Sequence, residues 1–270
     1  MKASLKSIFL CVLLSISFLV SQTAYSFSLA SPPVSKSYCH GFLLYGNPKG
    51  QINQYLCREG YLVGYNYTTK QPTWVAYHLS ANSVSHTIKR HDVFQPDLEV
   101  PKTYRAELSD YRKSGYDRGH LAPYAAMDFD KTSAKQSFYL SNMSPQKPQL
   151  NRKGWAELEK DVRFWARMYQ EVYVYTGPIF KNSKSHKSIG KNKIYVPEYF
   201  FKIIYAPKQH KDIAFIMPNA NVSKKNVANY RVSVKEIEQR TGLHFFNNLP
   251  ESQSAALKTT VSPMWRVSYH

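Results

Sequence analysis

The chain has 270 residues, with 36 Lys and Arg against 18 Asp and Glu, a formal net charge of +18, and 43% hydrophobic residues. That length and apolar content suffice for one large domain with a substantial core, and no internal repeat or separating linker divides it. The cation excess favours a polyanionic partner, nucleic acid being the simplest candidate ahead of a membrane surface or acidic polysaccharide, although charge alone is also compatible with a merely solvated basic surface.

Residues 1–26 read as a secretory signal peptide. Lys2 and Lys6 precede an apolar run from Ile8 to Val20 that is short for a membrane span. Ala24 and Ser26 suit cleavage after Ser26, with cleavage after Ala30 or a retained anchor as the alternatives. No later stretch is apolar for long enough to cross a bilayer. Export places Cys39 and Cys57 in an oxidising compartment, where a disulfide is the simplest outcome and a zinc site with His40 the other. Residues 27–60 are thus an N-terminal segment, irregular over 31–60 because Pro and Gly recur there, and 61–270 form the main domain.

Tyr61–Tyr67 and Thr73–Leu79 are rich in aromatic and β-branched residues around a turn-like Thr68–Pro72, which predicts an antiparallel strand pair. Asn82–Ser114 lacks periodicity and predicts a loop beside a cleft. Its Lys89, Arg90, Lys102, Arg105, Arg112 and Lys113 read either as a phosphate-tracking wall or as a solvated loop.

Two stretches carry chemistry. Tyr116-Asp117-Arg118-Gly119-His120-Leu121-Ala122-Pro123 sets an imidazole beside a guanidinium at the end of an extended run. Leu150–Glu159 offers the Asn151 amide and the Glu159 carboxylate at the start of a helix. Phosphodiester hydrolysis needs a base for water, positive charge for the transition state and help for the leaving oxygen, and these residue types supply all three. Mg²⁺ keeps several waters, so one protein amide plus phosphate oxygens can form an adequate site. A plainer reading makes 117–120 a turn with Asp117 paired to Arg118, and Asn151 a helix cap.

Gln136–Leu140 is expected to be extended. From Asn151, the spacing of Trp155, Leu158, Val162, Trp165 and Tyr169 predicts a helix with one buried face and Glu159 on its flank. Three strands are predicted at Glu171–Thr176, Tyr199–Tyr205 and Asp212–Met217, with Thr176-Gly177-Pro178 as a break. Lys181–Lys193 reads as a mobile basic loop with an exposed His186. Ser233-Val234-Lys235-Glu236 opens a helix that stops at Gly242, and Glu251–Lys258 forms a short closing helix. Helices and strands mix without regular alternation, so the fold class is α+β.

The run 117–123, then Ser141-Asn142-Met143-Ser144-Pro145-Gln146, then Asn151–Glu159, closely resembles the DNA/RNA non-specific endonucleases, the sugar-non-specific nucleases of the ββα-metal type that include endonuclease G. Trp74–Leu79, Thr176–Pro178 and Thr241–Leu243 resemble further landmarks, and the likeness runs from about Tyr61 to Pro250. It implies a central, mainly antiparallel sheet flanked by helices. It also implies His120 as general base, Asn151 as metal ligand, Arg118 and less directly Arg90 as phosphate contacts, Glu159 as the carboxylate orienting metal-bound water, and Asn142 as a supporting residue. One departure is visible: the family's Gly two residues after the ligand Asn is Lys153 here, and Gly154 comes third. The expectation is an exported, Mg²⁺-dependent endonuclease, with Mn²⁺ as a substitute ion. It would cut DNA and RNA with little sequence preference, leave 5′-phosphate ends and lose activity steeply with salt. The contrasting expectation is a non-catalytic nucleic-acid-binding protein of the cell exterior.

Overall fold

The computed structural model describes residues 37–85, 87–181 and 186–268. The expected signal peptide, 1–26, lies outside them, as do residues 182–185 of the basic loop. Among the described residues, no helix is long and apolar enough to cross a membrane.

A 3-10 helix at Ser37–Leu43 leads to β1 (Gln54–Cys57), β2 (Leu62–Asn66) and β3 (Gln71–Ser80). The segment read as irregular therefore contributes a strand, and Cys57 at its end is disulfide-bonded to Cys39 with Cα atoms 5.9 Å apart. After the loop come α1 (Leu108–Tyr111), β4 (Asp117–His120), α2 (Tyr124–Met127), α3 (Lys131–Gln136) and β5 (Met143–Gln146). Residues 136–140 are not extended as expected. They close α3, whose N-cap Asp130 accepts from Thr132 and Ser133 N–H, and enter a 3-10 turn at Leu140–Asn142.

A single π-helical turn, Leu150–Trp155, then runs into α4 (Ala156–Tyr169). β6 (Glu171–Ile179), β7 (Ser188–Ile189), β8 (Ile194–Tyr195), β9 (Tyr199–Ala206), β10 (Lys211–Pro218), β11 (Arg231–Val232), α5 (Val234–Thr241) and α6 (Glu251–Thr259) complete the chain. Thr176-Gly177-Pro178 does not break β6. It pairs with Phe200–Lys202, and a Cβ on Gly177 would lie 2.5 Å from the Thr73 carbonyl oxygen, so glycine admits a close strand approach. α5 starts and stops as its sequence implies: Ser233 Oγ accepts from Glu236 N–H, and Gly242 takes the left-handed conformation.

Seven strands form one sheet in the order β1-β2-β3-β6-β9-β10-β11, with every neighbouring pair antiparallel. Period-2 alternation gives it two buried faces. Val75, Tyr77, Val174, Phe200, Ile204 and Phe215 meet Trp155, Leu158, Val162 and Trp165 of the α4 segment. Trp74, Tyr175, Phe201 and Ile203 meet Ile237 of α5 and Leu257 of α6. The result is an α+β sandwich of helix, sheet and helix. The β4–β5 ribbon stands apart from the sheet, at the N-terminal end of α4.

Asp212 of β10 is 3% exposed, and burial pushes its carboxyl up to about 7. The folded pKa exceeds the unfolded value, so this group's stabilising contribution is complete below about pH 4 and is lost as pH rises through 7. Asp212→Asn should therefore gain stability over wild type as pH increases from 4 to 8. The ceiling is about 4 kcal/mol, from roughly three units at 1.36 kcal/mol each. Urea unfolding of both proteins across that range checks it, and a pH-independent difference would contradict it.

Candidate active site

The two chemistry-bearing stretches meet. β4 and β5 pair antiparallel, with Asp117 opposite Gln146 and His120 opposite Met143. Alternation sends Arg118 and His120 to one side of the ribbon and Asp117 and Gly119 to the other. The Asp117 carboxylate accepts from Asn151 Nδ2 at 2.9 Å, and from Arg152 Nε and Nη2 at 2.8 and 2.7 Å. The plainer expectation of an Asp117–Arg118 pair is thus incorrect: adjacent strand residues point apart, and Asp117 reaches the helix start instead. Because a carboxylate only accepts, the Asn151 amide nitrogen must face it, which turns Oδ1 away as the atom available to a hard cation. Asn151 is not an N-cap by side chain, since it sits inside the π-helical turn.

That turn is held from outside. Gly154 N–H donates to the Val222 carbonyl at 3.0 Å, and a Cβ on Gly154 would lie 2.3 Å from Val222 Cγ1. The glycine one place later than the family pattern therefore has a packing reason. Gly119 has a comparable constraint, because a Cβ there would lie 2.2 Å from Gln146 Oε1, and both side-chain polar atoms of fully buried Gln146 lack a partner.

His120, Arg118, Arg90, Asn151 and Glu159 all line one cavity of about 850 Å³, with Asp117, Arg112, Arg152 and Arg163 beside them. The loop wall is fixed through Arg58, 1% exposed, which pairs with Asp97 and, at 2.6 Å, with Glu99. It carries Phe94, whose ring lies 4.3 Å under the Arg118 guanidinium and 5.6 Å from the His120 ring. Arg90 donates to Asp92 at 2.6 Å and lies over the Tyr124 and Phe138 rings.

Burial lowers the His120 pKa to about 3, with Arg90 and Arg118 acting in the same sense and Asp92 against them. The imidazole is neutral at pH 7, the form a base requires. Its Nε2 is sealed without a partner, while its carbonyl accepts from the Trp155 indole at 3.3 Å. Burial raises the Glu159 carboxyl, and Lys202, Arg163 and Arg90 oppose that rise. Lys202, 0% exposed on β9, lies 4.5 Å over the Trp155 ring and 3.3 Å from Thr176 Oγ1. Burial in turn lowers its ammonium, with Glu159 countering.

Asn142 does not line the cavity. Fully buried, it accepts from Ala122 N–H at 2.9 Å and donates to the Ala122 and Ser137 carbonyls at 2.8 and 2.9 Å. It therefore supports the turn that follows His120 from outside the cavity lining. His186 also differs from expectation. It is half-buried and stacks on Tyr195 with ring centroids 4.8 Å apart, beside the small β7–β8 hairpin.

Sequence reasoning missed Asp117, Arg152, Arg163 and Lys202. Arg163 was within reach, standing one helical turn beyond Glu159 and donating to its carbonyl at 3.0 Å. Lys202 was signalled by a lysine at an inward position of an apolar strand, between Phe200 and Ile204. Arg152 and the Asp117 bridge depend on a tertiary contact with no local signature.

Among the described residues, no group of three or more His, Cys, Asp or Glu could hold a metal ion together. The donor set at Asn151 is one amide oxygen beside a cavity roomy enough for water. That fits a hard cation that keeps much of its hydration, such as Mg²⁺, and not a soft-ligand metal.

Residues 40–252 match the family described as DNA/RNA non-specific endonuclease. Nuclease C1 of Cunninghamella echinulata var. echinulata is 35% identical over 225 residues, 78% of this chain and 89% of that protein. Human mitochondrial endonuclease G is 36% identical over 218 residues, 76% of this chain and 73% of that protein. A crystal structure of an EndoG/EndoGI complex superposes with a TM-score of 0.75 at 30% identity, covering 82% of this chain and 96% of that one. The chain belongs to the DNA/RNA non-specific endonuclease family.

Proposed function

We propose that this nuclease is an exported, Mg²⁺-dependent endonuclease that hydrolyses DNA and RNA with little sequence preference and leaves 5′-phosphate ends. The observation that carries the reading is the convergence of His120 and Asn151, from separate stretches, on one arginine-walled cavity. A divalent cation held by Asn151 Oδ1 supplies, when bound, positive charge beside the phosphate and the departing 3′ oxygen. The neutral His120 imidazole takes the proton of the attacking water at the ring nitrogen facing the cavity. Arg118 and Arg90, with Arg163 beside them, neutralise the phosphate, and braced guanidiniums do so without reorganising. Glu159 provides a carboxylate to order water on the leaving side. Export rests on the leader-like residues 1–26 and agrees with the Cys39–Cys57 disulfide.

His120→Ala should lower cleavage of plasmid DNA by at least about 10²-fold, the lower range for losing a positioned base, while DNA binding persists. Excess EDTA should stop the wild-type enzyme, and cleavage surviving chelation would sink the metal-dependent mechanism. Retention of DNA by wild type without any cleavage would favour the non-catalytic binder.

Lys202 acts on Glu159 from beneath the site. Lys202→Met removes a cation that favours the ionised carboxyl, so Glu159 should hold its proton to higher pH and the acid limb of the pH–rate profile should move upward. Lys202→Arg should largely restore the profile. A uniform loss of rate with no displacement of that limb would show that Lys202 only supports packing.

A further inference from the structure

The cavity does not end at the catalytic groups. Tyr116, which lines it, also lines an adjoining hollow of about 320 Å³ with Lys181 and Lys187. Two ammonium groups gather on the Tyr116 ring: Lys147 Nζ lies 4.6 Å from its centroid and Lys187 Nζ 5.5 Å. Lys147 immediately follows β5, so it is tied to the same ribbon as His120. Its backbone N–H donates to Asn219 Oδ1 at 2.7 Å, and the Asn219 amide donates to the Pro145 and Pro197 carbonyls at 2.9 Å each. The backbone that carries Lys147 is therefore tied through Asn219 to β5 and to the floor of the hollow.

Charge bookkeeping at the rim points to an anion. Among the described residues, Lys147, Lys181 and Lys187 form no ion pair with a carboxylate. The one carboxylate in the hollow, Glu198, accepts from the Lys181 backbone N–H at 2.9 Å. Two like charges on one ring repel, and the ring's electron-rich face offsets only part of that, about 0.5–1 kcal/mol per cation at exposed sites. A phosphate between them would remove the repulsion. Tyr116 makes the rim continuous with the arginine-lined cavity, so a phosphate there would belong to the same strand as the scissile one.

We propose that Lys147 and Lys187, gathered on Tyr116, form a second phosphate subsite that grips the nucleic-acid strand beyond the cleaved bond. This rests on the nuclease reading and deepens it. The subsite distinguishes polymer from small diester: a long strand reaches it and a mononucleotide-sized substrate does not. It contacts backbone only, so it adds affinity without adding base preference.

The test uses the full-length mature protein, wild type against Lys147→Gln/Lys187→Gln, neither residue being part of the catalytic machinery. Binding of a fluorescein-labelled 30-nucleotide single strand is followed by anisotropy in EDTA across a salt series. Hydrolysis with Mg²⁺ is followed on the same strand and on deoxythymidine 3′,5′-bis(p-nitrophenyl phosphate). The double variant should bind the strand about tenfold more weakly. Its log–log salt slope should be shallower by about 1.4, since each phosphate contact on single strands contributes about 0.7. KM for the strand should rise with kcat retained, and hydrolysis of the small diester should be unchanged. An unchanged affinity and salt slope would overturn the subsite and leave an acidic protein as the ligand class to examine. Equal losses on strand and small diester would also overturn it, by showing damage to the catalytic cavity. If wild type cuts neither substrate, the nuclease reading fails, and the anisotropy series still decides the subsite.

Discussion

The site depends on one carboxylate. Asp117 belongs to the ribbon that carries His120, and its three hydrogen bonds reach Asn151 and Arg152 at the start of the long helix. Without such a clasp His120 and Asn151 would ride on separate elements. The bidentate grip of Arg152 also fixes the carboxylate itself, because a planar fork leaves it little rotational freedom. Orientation follows from acceptor chemistry: the amide of Asn151 can satisfy Asp117 only with its nitrogen, so its oxygen is turned away from that carboxylate and left free of it.

Beneath the clasp, the large sheet sets the electrostatics. Lys202 stands on the face covered by α4, in register with Thr176, and Trp155 lies over it. A lysine with no exposure is costly to keep charged unless negative charge answers it: burial lowers the Lys202 ammonium, and Glu159 counters that fall. Tyr77 shares this floor, where burial and then Glu159 push its hydroxyl up, while Arg163 and Arg90 favour the ionised Glu159 from the helix and the loop. The aromatic stripe of α4 thus does more than fill space. It seats the helix on a charged strand position, so that Asn151 and Glu159 are carried by an element packed firmly on the sheet.

Much of this was legible in the residues. Trp155, Leu158, Val162 and Trp165 announced a buried helix face because three-four spacing has few other meanings. The strands Leu62–Asn66, Tyr199–Ala206 and Lys211–Pro218 announced themselves by β-branched and aromatic density. The failures share a cause, which is that local punctuation was read where tertiary contact decides. Gly177 looked like a break, yet it permits the Thr73 backbone to come close. Residues 31–60 looked irregular, yet the strand at Gln54–Cys57 is short enough for its flanking Gly and Pro to hide it. At the site, residue types and spacing expose His120, Arg118, Asn151 and Glu159, whereas the role of Asp117 does not show there, because a hydrogen bond across 34 residues leaves no trace in spacing.

The choice of cations in the cavity follows from the same economy of fixed parts. Four of the guanidiniums there have a brace: Arg118 on Phe94, Arg90 on Asp92 and two aromatic rings, Arg152 on Asp117, Arg163 on the Glu159 carbonyl. A braced fork meets a tetrahedral phosphate with its donors already aimed, and the flexible ammonium of lysine would have to be ordered at each encounter. The two lysines proposed as a strand grip, Lys147 and Lys187, stand at the rim on Tyr116, where the task would be to hold a strand by charge and not to meet a transition state. Such a division allows tight phosphate handling at the centre with no group required to read a base, which is the condition that indifference to sequence imposes.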